Sequence, residues 1–139
     1  MDLLTLIAIV TGCAAVVEDL RRGVISNWTS LTALAGGLIY HIVHQGWIGL
    51  AMSSGGALIG FTVFLVFYCM GGLGGGDVKL MAAFGALLGP SGALTAAILA
   101  AVSGGILAAG SLLFSRRQRA IRYGPAIVLG AWLALLAKR

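Results

Sequence analysis

The fold is decided by long apolar stretches, of which WIGLAMSSGGALIGFTVFLVFYCM at residues 47–70 is the clearest because it carries no charged side chain. Over the 139 residues, hydrophobic residues make up 60% and charged residues 9%, and the mean hydropathy is +1.05. A soluble domain carries roughly a quarter charged residues, so these few charges cannot cover a globular surface. The composition excludes a soluble enzyme and a disordered chain, and it predicts an all-α integral membrane protein.

The charges that remain are placed as in membrane proteins. Nine Lys and Arg against four Asp and Glu give a net charge of +5. The basic residues form short clusters between apolar runs, which is typical of juxtamembrane anchors. The pattern favours a lipid bilayer as partner and argues against nucleic acid. Because residues 1–17 lack a basic start, we expect the first span to be retained rather than removed as a signal or lipoprotein peptide.

Uncharged runs and turn-forming residues predict about six membrane spans. A spanning helix needs about 20 residues, and the uncharged runs at 23–76 and 80–115 are each too long for one crossing. The polar segment at 41–46 divides the first run, and Gly-Pro-Ser-Gly at 89–92 divides the second. The predicted spans are residues 2–19, 28–42, 47–70, 77–89, 92–114 and 123–137, which form a single membrane-embedded domain.

The basic residues also predict the orientation. In a six-span arrangement with the N-terminus outside, seven basic residues share one side and two lie on the other. The seven are Arg21, Arg22, Lys79, Arg116, Arg117, Arg119 and Arg122, and the two are Lys138 and Arg139. By the positive-inside rule, the side with seven is cytoplasmic.

The predicted fourth span is short. Residues 77–89 form about 20 Å of helix, whereas the hydrocarbon core is about 30 Å thick. The Gly-rich loop at 71–76 before it is a poor helix former, and irregular backbone at membrane depth is tolerated only where protein or a water-filled cavity satisfies it. A wet pocket near Asp77 is therefore expected.

Two carboxylates are predicted to meet although they are distant in sequence. Asp19 ends the first span on the cytoplasmic side, and two further spans return the chain to that side at Asp77. Two close carboxylates cannot both ionise easily, so one keeps its proton. The ionised member can then take a proton from water while the protonated member polarises a peptide carbonyl. The alternative is structural: both acids pair with Arg21, Arg22 or Lys79, or Asp77 caps a helix.

Three short motifs occur in order along the chain. GGGDVK at 74–79 has the form GxGDxK, DLRRGVISN at 19–27 follows an aspartate with Ile-Ser-Asn, and YGPAI at 123–127 opens the predicted last span. Together they resemble the type IV prepilin peptidases, which are GxGD-type intramembrane aspartic proteases. In that family the first aspartate is followed by Ile-Pro-Asn, and here Ser26 replaces the proline.

The resemblance implies an activity and a set of residues. By similarity, Asp19 and Asp77 are the catalytic pair of an aspartic endopeptidase that cleaves prepilin leader peptides at the cytoplasmic membrane face. The supporting motif positions are Asn27, Gly74, Gly76, Lys79, Gly124 and Pro125. The substrate would have a short basic leader and then an apolar helix. The protein would be a multi-pass protein of the bacterial inner membrane that works with pilus assembly machinery.

The resemblance also bears on size and cofactors. The chain is closest in size to the short peptidases of the tight-adherence (Flp) pilus systems. Larger members carry a cytoplasmic insert with a four-cysteine zinc cluster and also N-methylate the new terminus. With two cysteines in this sequence, we expect one peptidase domain over residues 1–139, without the methyltransferase insert, a metal or a cofactor.

Three other interpretations remain open. A small transporter or channel subunit could use the two aspartates as a proton or cation relay, although no acidic residue lies in mid-span. A presenilin-like or signal-peptide-peptidase-like protease shares the GxGD motif but has Tyr before the first aspartate, where this chain has Glu18. A purely structural assembly subunit would require both acids to be dispensable.

The remaining polar residues and glycine pairs are less informative. Glu18 is predicted to be a boundary charge, and Lys79 an interfacial anchor or a charge-neutralising group. His41 and His44 lie on a predicted outer loop, where two ligands are too few for a metal site. The Gly-x3-Gly pairs at 56–60 and 85–89 suit close helix contact, although 22 glycines make such spacings common by chance.

Overall fold

The structure is a computed structural model that describes residues 2–114 and 123–137, and within these it is helical apart from short connections. The helices are α1 (Leu3–Arg22), α2 (Asn27–Cys69), α3 (Gly75–Phe114) and α4 (Gly124–Ala137). The predicted all-α class is confirmed. Six of the basic residues used to predict the orientation lie outside the described residues: Arg116, Arg117, Arg119, Arg122, Lys138 and Arg139.

Helix α2 folds back on itself at Gly46. This residue has φ 60° and ψ −138°, a left-handed conformation that glycine adopts without the steric cost of a Cβ atom. A methyl group added at Gly49 would overlap the carbonyl oxygen of His41, whereas the two residues would be about 12 Å apart along a straight helix. The two halves of α2 therefore lie side by side.

Helix α3 reverses in the same way at Gly89, where φ is 74° and ψ is −179°. Pro90 follows and cannot donate a backbone hydrogen bond to the preceding turn. Leu73, just before α3, and Gly105, in its second half, line one pocket, although a straight helix would separate them by about 45 Å. Both reversals lie in the segments where the sequence predicts a break.

The first half of α3 is the centre of the protein. Between Asp77 and Gly89 every residue except Lys79 is buried. The two halves of α2 approach this segment through glycines: an added Cβ on Gly37 would lie 2.9 Å from the backbone of Ala86, and one on Gly56 would overlap the Gly85 carbonyl oxygen. The glycine pairs that the sequence left ambiguous thus form real backbone contacts between α2 and α3.

The second half of α3 and helix α1 both pack against α4. An added Cβ on Gly130 would lie 2.6 Å from the backbone nitrogen of Ala100. On the other side of α4, the Trp132 indole donates a hydrogen bond to the carbonyl oxygen of Ala8 at 3.1 Å, and the same ring packs over Gly12. These contacts place the beginning of α4 at the same end of the protein as the C-terminal end of α1.

Large apolar side chains cover the outside of the bundle. Trp47 is 85% exposed, and Trp28, Val43 and Ile48 are almost as open. Three of the described helices, Leu3–Arg22, Asn27–Cys69 and Gly75–Leu107, are long and apolar enough to cross a membrane. An apolar exterior, with glycines at the closest contacts between helices, is the arrangement of a multi-pass membrane protein.

Replacing Gly56 with alanine is expected to destabilise the protein by about 1–3 kcal/mol, because the new methyl group forces α2 away from the Gly85 carbonyl. Gly36→Ala in the same helix is the matched control, since its Cβ would meet only Ile7 at 3.5 Å. Thermal unfolding in detergent, followed by circular dichroism, measures the difference. Equal unfolding midpoints for the two variants would contradict the close backbone contact.

Candidate active site

Two buried carboxylates lie at one end of the bundle. Asp19 is in the last turn of α1 and is 5% exposed, and Asp77 is in the first turn of α3 and is 9% exposed. The loop before Asp77 and the start of α4, which lies against Asp19, line a common pocket. The fold therefore brings together two acids that the sequence separates by two crossings of the bundle.

The glycine-rich loop holds the Asp77 carboxylate by a local hydrogen-bond exchange. The Gly74 N–H donates to Oδ2 of Asp77 at 3.1 Å, and the Asp77 N–H donates back to the Gly74 carbonyl oxygen at 3.1 Å. This reciprocal pair satisfies backbone groups that the start of a helix leaves free. Gly76 packs on the α1–α2 connection, since an added Cβ would lie 3.3 Å from Cβ of Ile25.

The start of α4 lies against the Asp19 carboxylate. A Cβ on Gly124 would lie 2.6 Å from Oδ2 of Asp19, so a side chain there would displace the acid. The N-terminus of a helix carries a partial positive charge that stabilises a nearby carboxylate. Pro125 is the second residue of α4, where a missing N–H costs no intrahelical hydrogen bond.

Lys79 and Asn27 form a link beside the two acids. The Lys79 ammonium donates to Oδ1 of Asn27 at 2.9 Å, which joins the first turn of α3 to the first residue of α2. Lys79 is exposed, as expected of an interfacial residue. The contact brings together the last residues of the two motifs at 19–27 and 74–79.

Glu18 has a larger structural role than the sequence indicated. Its carboxylate accepts hydrogen bonds from the Ser26 N–H and from the Thr29 hydroxyl, both at 2.9 Å. These bonds tie the end of α1 to the start of α2. The prediction of a simple boundary charge missed this because neither the spacing nor the composition shows which way Glu18 points.

The same contacts explain how Ser26 takes the place of the family's proline. Ser26 has φ −64° and ψ 139°, and −65° is the φ that a proline ring imposes. Its hydroxyl caps α2 by accepting from the Trp28 N–H at 3.3 Å. Serine also supplies the N–H that donates to Glu18, which proline lacks. The turn geometry is thus compatible with either residue, with hydrogen bonds replacing the rigidity of the ring.

An apolar pocket of about 210 Å³ lies next to the two acids. We call it the Tyr123 pocket; its walls include Phe64, Phe67, Leu73, Gly105 and Tyr123. A second pocket, of about 290 Å³, lies between α2 and α3, and Asn27 and Lys79 are among its lining residues.

The two histidines, His41 and His44, lie outside the site that contains the two acids. His41 is helical and 5% exposed, and its Nε2 donates to the Leu87 carbonyl oxygen at 3.0 Å, so its prediction as a loop residue is wrong. His44 is exposed and contacts the Tyr40 carbonyl. Within residues 2–114 and 123–137, no three His, Cys, Asp or Glu residues are grouped as metal ligands would be.

Fold and site together define a helical membrane protein with two buried acids at one end of the bundle. Comparison with known proteins gives the family. The sequence profile of the type IV leader peptidase family matches residues 6–109, which include both aspartates. The chain belongs to this family, and the membership favours a peptidase over the ion-relay alternative.

Individual relatives support the same family assignment. The chain is 30% identical, over 127 residues, to the prepilin leader peptidase/N-methyltransferase of Aeromonas salmonicida strain A449 and 29% identical, over the same length, to that of Aeromonas hydrophila. Each match covers 85% of this chain and 43% of the relative. The chain therefore spans less than half the length of these relatives. No solved structure matches it.

Glu18→Ala is expected to lower the free energy of unfolding by about 1–3 kcal/mol, because it leaves the Ser26 N–H and the Thr29 hydroxyl without their acceptor. Glu18→Gln keeps one acceptor oxygen, so its free energy of unfolding should fall by less than that of Glu18→Ala. Thermal unfolding of the two purified variants beside wild type makes the comparison. An alanine variant as stable as wild type would show that these two hydrogen bonds do not hold the α1–α2 connection.

Proposed function

We propose that the chain is an intramembrane aspartic endopeptidase that removes the leader peptide of type IV, Flp-like prepilins at the cytoplasmic face of the bacterial inner membrane. The observation that carries the proposal is the meeting of two buried carboxylates, Asp19 and Asp77, at one end of the bundle. Family membership supports it, because both acids lie in the matched region.

The two acids share the work of hydrolysis. Because two neighbouring carboxylates cannot both ionise easily, one of them holds a proton. The ionised carboxylate takes a proton from a water molecule, whose oxygen attacks the peptide carbonyl carbon, while the protonated acid donates its proton to the carbonyl oxygen. When the tetrahedral intermediate collapses, the C–N bond breaks and the leaving nitrogen takes a proton from the acid that the water protonated. One hydroxyl of the intermediate returns its proton to the other carboxylate, which releases the new carboxylic acid and restores the starting protonation of the pair.

The surrounding motif residues position the pair. Gly74 orients the Asp77 carboxylate through its N–H, and Gly124 allows α4 to lie against Asp19. The Lys79–Asn27 hydrogen bond holds the starts of α2 and α3 together beside the acids. Gly76 and Pro125 shape the two chain segments that meet there.

We further propose that the chain crosses the bilayer six times with its N-terminus outside. The reversals of α2 at Gly46 and of α3 at Gly89 support two crossings for each of these helices. The excess of Lys and Arg on the predicted cytoplasmic side supports the orientation. Both acids would then face the cytoplasm, where a basic leader is located.

The proposal covers leader cleavage and not N-methyl transfer. The two cysteines of this sequence, Cys13 and Cys69, cannot supply a four-cysteine zinc cluster. Mass spectrometry of the cleaved product would show a new N-terminus without an added methyl group.

Asp19→Asn and Asp77→Asn should each slow prepilin cleavage by about 10²- to 10⁴-fold, the usual contribution of a general acid or base. Asparagine keeps the shape of the side chain and removes its titrating proton. Cleavage of a co-expressed prepilin is measured by gel mobility and N-terminal sequencing at matched membrane levels of each variant.

The matched control is Asp2→Asn, the same change at an exposed acid outside this site, which should cleave as wild type does. Normal processing by either Asp19→Asn or Asp77→Asn would remove the two-acid mechanism. Proton flux in liposomes that vanished with Asp77→Asn, without any cleavage by wild type, would support an ion relay instead.

Gly124→Ala tests the placement of Asp19. The added Cβ would lie 2.6 Å from Oδ2 of Asp19, so the carboxylate has to move, and a shift of about 1 Å costs roughly 10²-fold in rate. Gly110→Ala is the control, since no described atom lies within 4 Å of its Cβ position. If Gly124→Ala cleaved as fast as Gly110→Ala, the position of Asp19 against α4 would have no catalytic importance.

A further inference from the structure

The Tyr123 pocket has no role in the chemistry described so far, yet it opens beside the acids. Leu73 in its wall directly precedes Gly74, which donates to Asp77. Tyr123 in its opposite wall directly precedes Gly124, which contacts Asp19. Adjacent Cα atoms are about 3.8 Å apart. A side chain that enters this pocket therefore places its own backbone next to the catalytic pair.

The lining of the pocket selects an apolar occupant. Among the described residues that line it, none is charged, and the side chains are aromatic or aliphatic apart from the Tyr123 hydroxyl. An unpaired charge there would lose its hydration without gaining a partner. The volume of about 210 Å³ exceeds the roughly 150 Å³ of an apolar cavity that holds benzene, so a leucine or phenylalanine side chain fits.

The pocket is also accessible. Phe67 is 40% exposed and Gly105 is exposed, so the pocket opens at the surface of the bundle. A substrate helix that lies in the bilayer beside α2 and α3 can insert one side chain without opening the protein.

We propose that the Tyr123 pocket is the subsite for the first side chain on the mature side of the scissile bond, and that Gly105 and Phe67 set the size it accepts. The inference rests on the proposed function. In a substrate with a polar leader and an apolar helix, only the mature side supplies an apolar residue beside the cut.

Gly105 is the position from which the pocket can be filled. No described atom lies within 4 Å of its Cβ position, so a larger side chain requires no backbone shift. Its neighbour Gly104 differs, because a Cβ there would lie 2.8 Å from the Tyr123 ring. Gly110 provides a matched control: it lies on the same helix, its Cβ position is equally open, and it does not line the pocket.

The test compares Gly105→Leu, Gly110→Leu and wild type on two prepilins that differ only in the first mature residue, leucine or alanine. Initial cleavage rates are measured with purified protein in liposomes. Gly105→Leu should cleave the leucine substrate at least about tenfold more slowly than wild type and the alanine substrate within about threefold, since a filled apolar pocket discriminates about 10- to 200-fold. Gly110→Leu should match wild type on both.

The outcomes separate this inference from the proposed function. If wild type cleaves and Gly105→Leu slows both substrates equally, as loss of a bound lipid chain would do, the subsite is overturned and the peptidase stands. Unchanged rates on both substrates overturn it too. If wild type cleaves neither prepilin, the proposed function fails and the subsite with it.

A second variant keeps the inference testable if Gly105→Leu does not accumulate. Phe67→Ala removes a partly exposed aromatic ring from the wall of the pocket and so enlarges the pocket. It should increase the rate for a tryptophan substrate relative to a leucine substrate by at least about tenfold. An unchanged preference in this variant contradicts the assignment of the pocket.

Discussion

The architecture depends on burying one short helical segment, the first half of α3, on all sides. Inside a membrane the hydrophobic effect does not drive helices together, so they associate through close packing of small residues. Gly37 and Gly56 on the two halves of α2 meet this requirement by admitting the backbone of α3 around Gly85 and Ala86. Once that segment is surrounded, the position of Asp77 at its start is determined.

The site lies at the side of the bundle where α1 ends and where α3 and α4 begin. Helix α1 ends there one turn after Asp19, α2 runs out and back through its reversal at Gly46, and α3 begins there with Asp77 in its first turn. A second reversal, at Gly89, returns the chain so that α4 starts beside Asp19. The chain reversals at Gly46 and Gly89 therefore bring Asp19, Asp77 and the start of α4 to the same side of the bundle, although neither glycine is near the site.

Local hydrogen bonds then give each part of the site its shape. Gly74 and Asp77 exchange hydrogen bonds across the start of α3. At the start of α2 the Ser26 N–H donates to the Glu18 carboxylate, a hydrogen bond that a proline could not make. The hydrogen bonds at both helix starts satisfy backbone groups that would otherwise be unpaired. An unpaired backbone group costs several kcal/mol at membrane depth. The Tyr123 pocket is the space left between the loop before α3, the end of α2, the second half of α3 and the start of α4.

The sequence by itself determined the class of protein and the breaks in the long apolar runs, and it singled out the two acids, because composition, turn residues and the placement of charges are properties of the chain alone. Only the tertiary structure decided which way each side chain points and which residues it contacts. The role of Glu18, the burial of His41 against Leu87 and the contact of Gly124 with Asp19 follow from which helices become neighbours. The glycine pairs show the limit most clearly: their spacing is common by chance in a glycine-rich chain, and only the approach of Gly56 to Gly85 shows which glycines the packing uses.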